Sequence, residues 1–294
     1  MFNINIKDFL LPISFVFLYG SGFIFTQYGL VNTSPMAFLA IRFFIAFCIL
    51  LIITSLVKAK WPKTIKEFIH ISIAGMLTVG TFSVGVYMSI SYGISGSLNS
   101  LIIALQPILV SFLAFKFLNE TSDGKIWLGL FIGFIGVNIV VISNIDTNIG
   151  AITGVTWSFI ALFGLSFGNL YQKKYCKKMN LFSGGAIQTL SSTILVLPFL
   201  LYEDIRVSWN LEFIVALFYM VVAVSIGALS LLYIMIEKGD VSKVSSIFYL
   251  VPVSASIVSY VLFDEAFKLS ILIGIITVLI GMLFIHKKTK KGKI

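Results

Sequence analysis

Residues 97–120 read SLNSLIIALQPILVSFLAFKFLNE, and residues 242–265 read SKVSSIFYLVPVSASIVSYVLFDE. At an offset of 145 the two stretches share Ser97/Ser242, Ser100/Ser245, Leu105/Leu250, Pro107/Pro252, Ser111/Ser256 and Glu120/Glu265 without a gap. The register continues through Gly129/Gly274 and Gly136/Gly281. One residue of slippage upstream, at an offset of 146, aligns Gly22/Gly168, Ala40-Ile41/Ala186-Ile187, Tyr87/Tyr233 and Gly93/Gly239. Aliphatic matches carry little weight in so apolar a chain, but matched Pro, Glu and Gly do. Each stretch is about 20 residues of mostly apolar sequence, the length needed to cross a bilayer as a helix.

The whole chain is built this way. Of its 294 residues 59% are hydrophobic and 11% charged, and its mean hydropathy is +1.04. A soluble domain carries about 25% charged residues. A soluble enzyme, a nucleic-acid binder and a disordered chain are thereby excluded, and an integral membrane protein is left. Ten apolar runs fall at 9–29, 36–57, 68–91, 97–117, 125–143, 150–172, 182–202, 212–236, 242–263 and 268–286. They do not alternate as barrel strands would. Backbone in lipid must bond to itself, so the expected fold is an all-α integral membrane protein of ten transmembrane helices. The first run has no small-x-small cleavage site and is read as a retained span.

Lysine and arginine fix the orientation. With the N-terminus inside, the inner segments hold Lys7, Lys58, Lys60, Lys63, Lys66, Lys116, Lys125, Lys173, Lys174, Lys177, Lys178, Lys238, Lys243, Lys287, Lys288, Lys290, Lys291 and Lys293. The outer ones hold only Arg206 and Lys268, and Arg42 lies within a span. The net charge of +9 is therefore a membrane signal, and no nucleic-acid partner is expected. Both termini are placed in the cytoplasm and the protein in the cell inner membrane. Each half, 1–145 and 146–294, holds five runs, an odd number, so the second copy enters the membrane from the opposite face. Inverted repeats are a transporter architecture, with the site at the repeat interface near the midplane.

The pattern Leu105-Gln106-Pro107 followed thirteen residues on by Glu120, its twin Leu250-Val251-Pro252 to Asp264-Glu265, and Pro35-Met-Ala-Phe-Leu-Ala-Ile-Arg42 in the second run resemble the EamA repeat of the drug/metabolite transporter superfamily. The resemblance spans nearly the whole chain. It implies a ten-helix secondary transporter of small metabolites, often amino acids or related compounds, and usually an exporter. The related small multidrug transporters carry a carboxylate deep in the first span, and none stands between Phe9 and Gly29 here.

Polar residues within the runs nominate the substrate pathway: Tyr19, Ser21, Arg42, Thr81, Tyr87, Gln106, Pro107, Trp157, Ser225, Ser230, Tyr233, Tyr249 and Pro252. A neutral aromatic and hydroxyl lining suits a small amphiphilic or zwitterionic solute. Pro107 and Pro252 are expected to kink their helices at mid-span, freeing the carbonyls of Ile103 and Phe248. Arg42 either snorkels or binds helix-end carbonyls, or else holds a gate or a substrate carboxylate. Glu120 and Glu265 are read as braces of the turns that follow them. Gly129, Gly133, Gly136, Gly274 and Gly281 permit close helix contact. Runs two and five, nearly aliphatic, are expected to face lipid.

Cys48 and Cys176 are read as unpaired thiols, and the two histidines, His70 and His286, join no carboxylate cluster. No metal or other cofactor is expected, no Walker motif points to ATP hydrolysis by this chain, and the scattered acids argue against a membrane enzyme. The partners expected are a small-molecule substrate and membrane lipid, with the chain a monomer or weak homodimer. Proton coupling is compatible, though no residue nominates itself as carrier. A flippase for lipid or lipid-linked sugar is the rival within transport. A reporter enzyme active only outside the cell, fused to the C-terminus, is expected to stay inactive. Strong activity would overturn the even span count.

Overall fold

The computed structural model describes residues 6–118, 124–144, 149–239, 241–263 and 269–286. Among them the chain is helical, and its one strand-like feature is an isolated antiparallel bridge between Thr33 and Val207. Seven helices are long and apolar enough to cross a membrane: Leu10–Leu30, Pro35–Leu56, Ile65–Ser91, Gly96–Leu118, Ile152–Tyr175, Leu181–Leu200 and Leu211–Lys238. Shorter apolar helices, Trp127–Gly136, Ser246–Leu262 and Leu272–Gly281, stand where the fifth, ninth and tenth runs were read.

These helices are apolar on every side, which is the mark of a helix with no face toward water. In Ile149–Tyr175 the residues Phe159, Phe163 and Phe167 form an exposed stripe, while Ala161, Leu162 and Leu165 are buried. In Pro35–Leu56, Phe43 is buried and its neighbour Phe44 exposed. Polar side chains inside the helices mostly bond to a carbonyl one turn back, as Thr26 does to Gly22 and Ser191 to Ile187. That keeps hydroxyl groups satisfied without water.

Element starts recur at the offsets of the sequence repeat: Pro35 and Leu181, Ile65 and Leu211, Gln106 and Val251, Gly124 and Leu269. Equivalent helices are also the most closely packed partners, Gly124–Asn144 against Leu269–His286 and Pro35–Leu56 against Leu181–Leu200. The expected glycine contact is present in the first pair. A Cβ at Gly281 would lie 2.5 Å from the carbonyl oxygen of Gly129 and 2.9 Å from the amide nitrogen of Gly133.

Four runs are not the continuous helices that were expected. The third contains a π segment, Met76–Thr81, and the eighth its counterpart, Met220–Ala228. The fourth is broken at Ala104-Leu105, between Gly96–Ile103 and Gln106–Leu118. Pro107 therefore does not kink a helix; it is the second residue of a new one. Pro252 has the same place in Val251–Phe263, after a 3-10 turn over Ser246–Leu250. In the first turn a helix needs no amide hydrogen from proline. The Phe248 carbonyl, expected to be orphaned, accepts from the Val251 N–H. Glu120 and Glu265 lie outside the described residues.

The second run does not simply face lipid either. Met36, Phe38, Leu39, Arg42, Phe43, Ala46 and Leu50 are buried along it, because it is clamped against Leu181–Leu200. The fifth does turn a large apolar face outward, through Trp127, Leu128, Phe131, Phe134 and Ile135. Gly281→Ala is expected to lower the stability of the folded protein by ~1–3 kcal/mol, since backbone and not a movable side chain fills the space. Thermal unfolding in detergent checks this, and an unchanged midpoint would mean the two helices can part without loss.

Candidate functional site

Arg42 stands six residues past Met36, so about 9 Å into its helix, and is 4% exposed. Its Nε donates to Ser225 Oγ at 2.9 Å and its Nη1 to the Tyr87 hydroxyl at 3.2 Å. The guanidinium also lies 5.4 Å from the Phe43 ring centre and 5.9 Å from that of Tyr87. It neither snorkels nor binds helix-end carbonyls, the two structural fates expected for it. Hydrogen bonds to a charged group contribute about 1.5–3 kcal/mol each, comparable to the roughly 2.5–3.5 kcal/mol insertion cost of arginine at a helix centre. Two hydroxyls and two ring faces thus hold the charge in place without neutralising it. Among the described residues, no carboxylate is bonded to it.

Both hydroxyl partners come from the spans that contain π segments. Ser225 is inside Met220–Ala228, and Tyr87 follows Met76–Thr81 in Phe82–Ser91. An extra residue per turn re-aims side chains, and such segments recur at functional sites. Arg42, Tyr19, Phe82, Tyr87 and Val224 wall a cavity of about 20 Å3, room for one water molecule. Tyr19 packs on the Phe82 ring at 5.7 Å and edge-on to Phe248 at 5.2 Å. In this conformation the site is closed around Arg42.

Small cavities lead from there to the lysine-rich face. The next is walled by Ser225, the hydrogen-bond partner of Arg42, with Ser230, Tyr233, Gln188 and Leu181. A third is walled by Tyr233, Leu181, Met179, Cys176 and Lys177. It adjoins an 820 Å3 cavity between the segments around 60–63 and 174–183, lined by Lys60, Lys63, Lys174, Lys177 and Lys178 together with Glu67. Burial pushes the Cys176 thiol up to about 12, so it is an inert wall group, and both cysteines are free.

The structure thus brings Tyr19, Arg42 and Tyr87 together at one cavity, with Ser225, Ser230 and Tyr233 at the next; the Tyr233 hydroxyl meets Thr78 Oγ1 at 3.1 Å. The other nominated residues lie elsewhere. Ser21 bonds to Phe17 and to the Tyr219 hydroxyl. Thr81 donates to the Met76 carbonyl inside the π segment. Trp157 packs half-buried against the hydrophobic core. Tyr249 turns its ring onto Gly133, and the fully buried Gln106 has, among the described residues, no hydrogen-bond partner at either end of its amide. Pro107 and Pro252 begin helices beside these. Three features escaped the sequence reading: the Gln188 to Gln172 bond of 2.9 Å, the Lys173 ammonium bonded to the carbonyls of Ile236, Glu237 and Gly239, and Glu203, described below. An amide in the middle of run seven was the available signal for the first. The other two arise from contacts across 60 to 170 residues of chain.

Comparison with known proteins supplies the remaining evidence. The model of the EamA-like transporter family matches residues 7–142 and again 152–286. The uncharacterized transporter YvbV of Bacillus subtilis is 24% identical, over 95% of this chain and 91% of its own. A protein of Salmonella typhimurium named "Probable amino-acid metabolite efflux pump" is 22% identical, over 94% and 93%. A solved crystal structure superposes with a TM-score of 0.73 at 15% identity, covering 94% of each chain; at that identity it shows a shared fold.

Tyr87→Phe removes one of the two hydrogen-bond acceptors of the buried guanidinium. It is expected to lower stability by about 1.5–3 kcal/mol, read as a fall in the midpoint of unfolding in detergent. No change would mean that Ser225 and the ring faces hold Arg42 unaided.

Proposed function

The chain belongs to the EamA-like transporter family, and from that premise we propose that it is a secondary transporter exporting an amino acid or related carboxylate-bearing metabolite by alternating access. Its spans are ten, in two inverted halves of five at 1–145 and 146–294. It is a multi-pass protein of the cytoplasmic membrane, with both termini and the lysine-rich face in the cytoplasm. Two observations support the halves: the twofold family match and the recurrence of element starts at the repeat offsets. The export direction is supported by the efflux pumps among the relatives.

The observation that carries the reading is Arg42. A buried ionisable group in a membrane span is a functional site by default. This one is positive, lacks a carboxylate partner among the described residues, and sits where helices of both halves meet. A solute carboxylate is the partner its geometry lacks, and the planar fork can receive one bidentately. Apolar and aromatic walls accept the rest of a small amphiphile. The cavities toward the lysine-lined vestibule mark its route from the cytoplasm, and the vestibule charge raises the local concentration of anionic groups.

Arg42→Gln is expected to leave the protein in the membrane and to cut export of a carboxylate-bearing substrate at least about tenfold, the loss of one charge-assisted contact. Arg42→Lys should not restore it fully, since a point charge cannot replace the fork. A comparison of medium and cytosolic metabolites with the protein overproduced finds the substrate, and uptake into inverted vesicles at matched protein levels measures the variants. Equal rates for wild type and Arg42→Gln would return this residue to a purely structural role.

A further inference from the structure

The face carrying residues 31–37 and 203–210 is tied shut. The Ser34 N–H donates to the Arg206 carbonyl at 2.9 Å, and the Ser208 N–H to the Asn32 carbonyl at 2.9 Å, on either side of the Thr33–Val207 bridge. Thr33 Oγ1 donates to the same Arg206 carbonyl, and the Asn210 amide to Asn32 Oδ1. Deeper in, the Glu203 carboxylate accepts the Met36 N–H at 3.0 Å and the Ala37 N–H at 3.2 Å.

That last contact is a helix cap supplied from 166 residues away. Pro35, the first residue of its helix, has no N–H to satisfy, so the first amides that need an acceptor are Met36 and Ala37. Ser34 holds the N-cap position but makes no capping bond, because its hydroxyl is engaged with Arg206. A carboxylate there also meets the positive end of the helix dipole.

The opposite face carries the same parts in an open arrangement. At the repeat offset of 146, Thr33 corresponds to Met179, Val207 to Trp61, Met36 to Phe182, Ala37 to Ser183 and Glu203 to Val57. Trp61 and Met179 do not bridge; they stand among the walls of the 820 Å3 vestibule. Among the described residues one hydrogen bond joins the two segments, from Ser183 Oγ to the Lys60 carbonyl at 2.7 Å. Here the helix is capped by its own N-cap residue, Asn180, whose Oδ1 accepts from Phe182 and Ser183.

We infer that these two segment pairs are the outer and inner gates of the transporter, and that Glu203 is the positioning residue that makes outside-closed, inside-open the resting state. The inference rests on the transport reading above. Parting the outer pair strips a helix of its cap and leaves Met36 and Ala37 to water. Parting the inner pair breaks the Ser183–Lys60 bond but strips no helix of its cap, because Asn180 travels with its helix. Val57 offers no carboxylate for a reciprocal latch, so the two faces of one repeated design differ in how firmly they shut. In the other state the outer bridge opens, and Trp61 and Met179 approach as Thr33 and Val207 do here.

The test uses cysteine pairs in a chain carrying Cys48→Ser and Cys176→Ser, reconstituted in vesicles. Thr33→Cys with Val207→Cys should cross-link rapidly on oxidation, stop transport, and recover it on reduction. Trp61→Cys with Met179→Cys should cross-link slowly. Adding Glu203→Ala should slow the first reaction and speed the second by at least about tenfold, the smallest shift expected from losing even one of its charge-assisted bonds. Glu203→Gln, which keeps one carbonyl acceptor, should fall between, and it serves if the alanine variant does not fold. Local damage at the outer face alone would not accelerate cross-linking at the inner one. Unchanged rates at both pairs, or full transport by the oxidised Thr33→Cys/Val207→Cys protein, would overturn the inference. Cross-linking requires no substrate. A chain whose gates respond to Glu203 yet moves no solute overturns the transport reading alone.

Discussion

Every backbone amide and carbonyl of a chain in hydrocarbon must find its partner within the protein, and that constraint orders the rest of this structure. It makes the elements helices, turns serine and threonine hydroxyls back onto their own carbonyls, and confines Pro107 and Pro252 to first turns, where the missing N–H is no loss. It also governs the ends. Asn180, Asn210, Thr64 and Ser95 each cap their own helix. At Pro35–Leu56 the local capping hydroxyl is occupied and the acceptor comes from Glu203 across the fold. A requirement that is purely local for most helices becomes, at that one, a tie between the two halves.

The same constraint explains why so few residues define the candidate site. A charge costs too much in lipid to be scattered, so the single arginine within a span is held by two hydroxyls and two ring faces. Both hydroxyls come from spans that contain a π segment, and those two spans are equivalent in the two halves. The surrounding aromatic side chains close the cavity to about the size of a water molecule. Among the described residues, cavities and lysines then continue toward the face that carries Lys60, Lys174 and Lys177. At matched positions of the two repeats Glu203 stands against Val57 and Arg42 against Gln188, so the two faces of the fold are not equivalent.

Much was legible in the sequence. Apolar runs of about 20 residues announce helices because the bilayer imposes that length. Matched Pro, Glu and Gly at a constant offset announce the repeat, and Arg42 announces itself as the one charge where charge is expensive. Tyr19, Tyr87 and Ser225, nominated with it for the pathway, stand beside it in the fold. Ser21, Thr81 and Trp157 were nominated on the same grounds and lie apart from that cavity. Which side of a helix a residue occupies follows from packing, and helices that are apolar on every side give no hydrophobic stripe to read it from.

The sequence by itself therefore determined the membrane, the helical class, the repeat, the family and the rare buried charge, all of which depend on composition, run length and spacing along one dimension. Tertiary structure alone decided that Pro107 and Pro252 begin helices, that Pro35–Leu56 is clamped inside the bundle, that Ser225 and Tyr87 converge on Arg42, and that Glu203 caps a helix 166 residues upstream. Each of these turns on the rotation of one helix about its axis or on the meeting of segments far apart in the chain. A local pattern carries no record of such meetings, because the energy that fixes them is exchanged only once the helices are packed together.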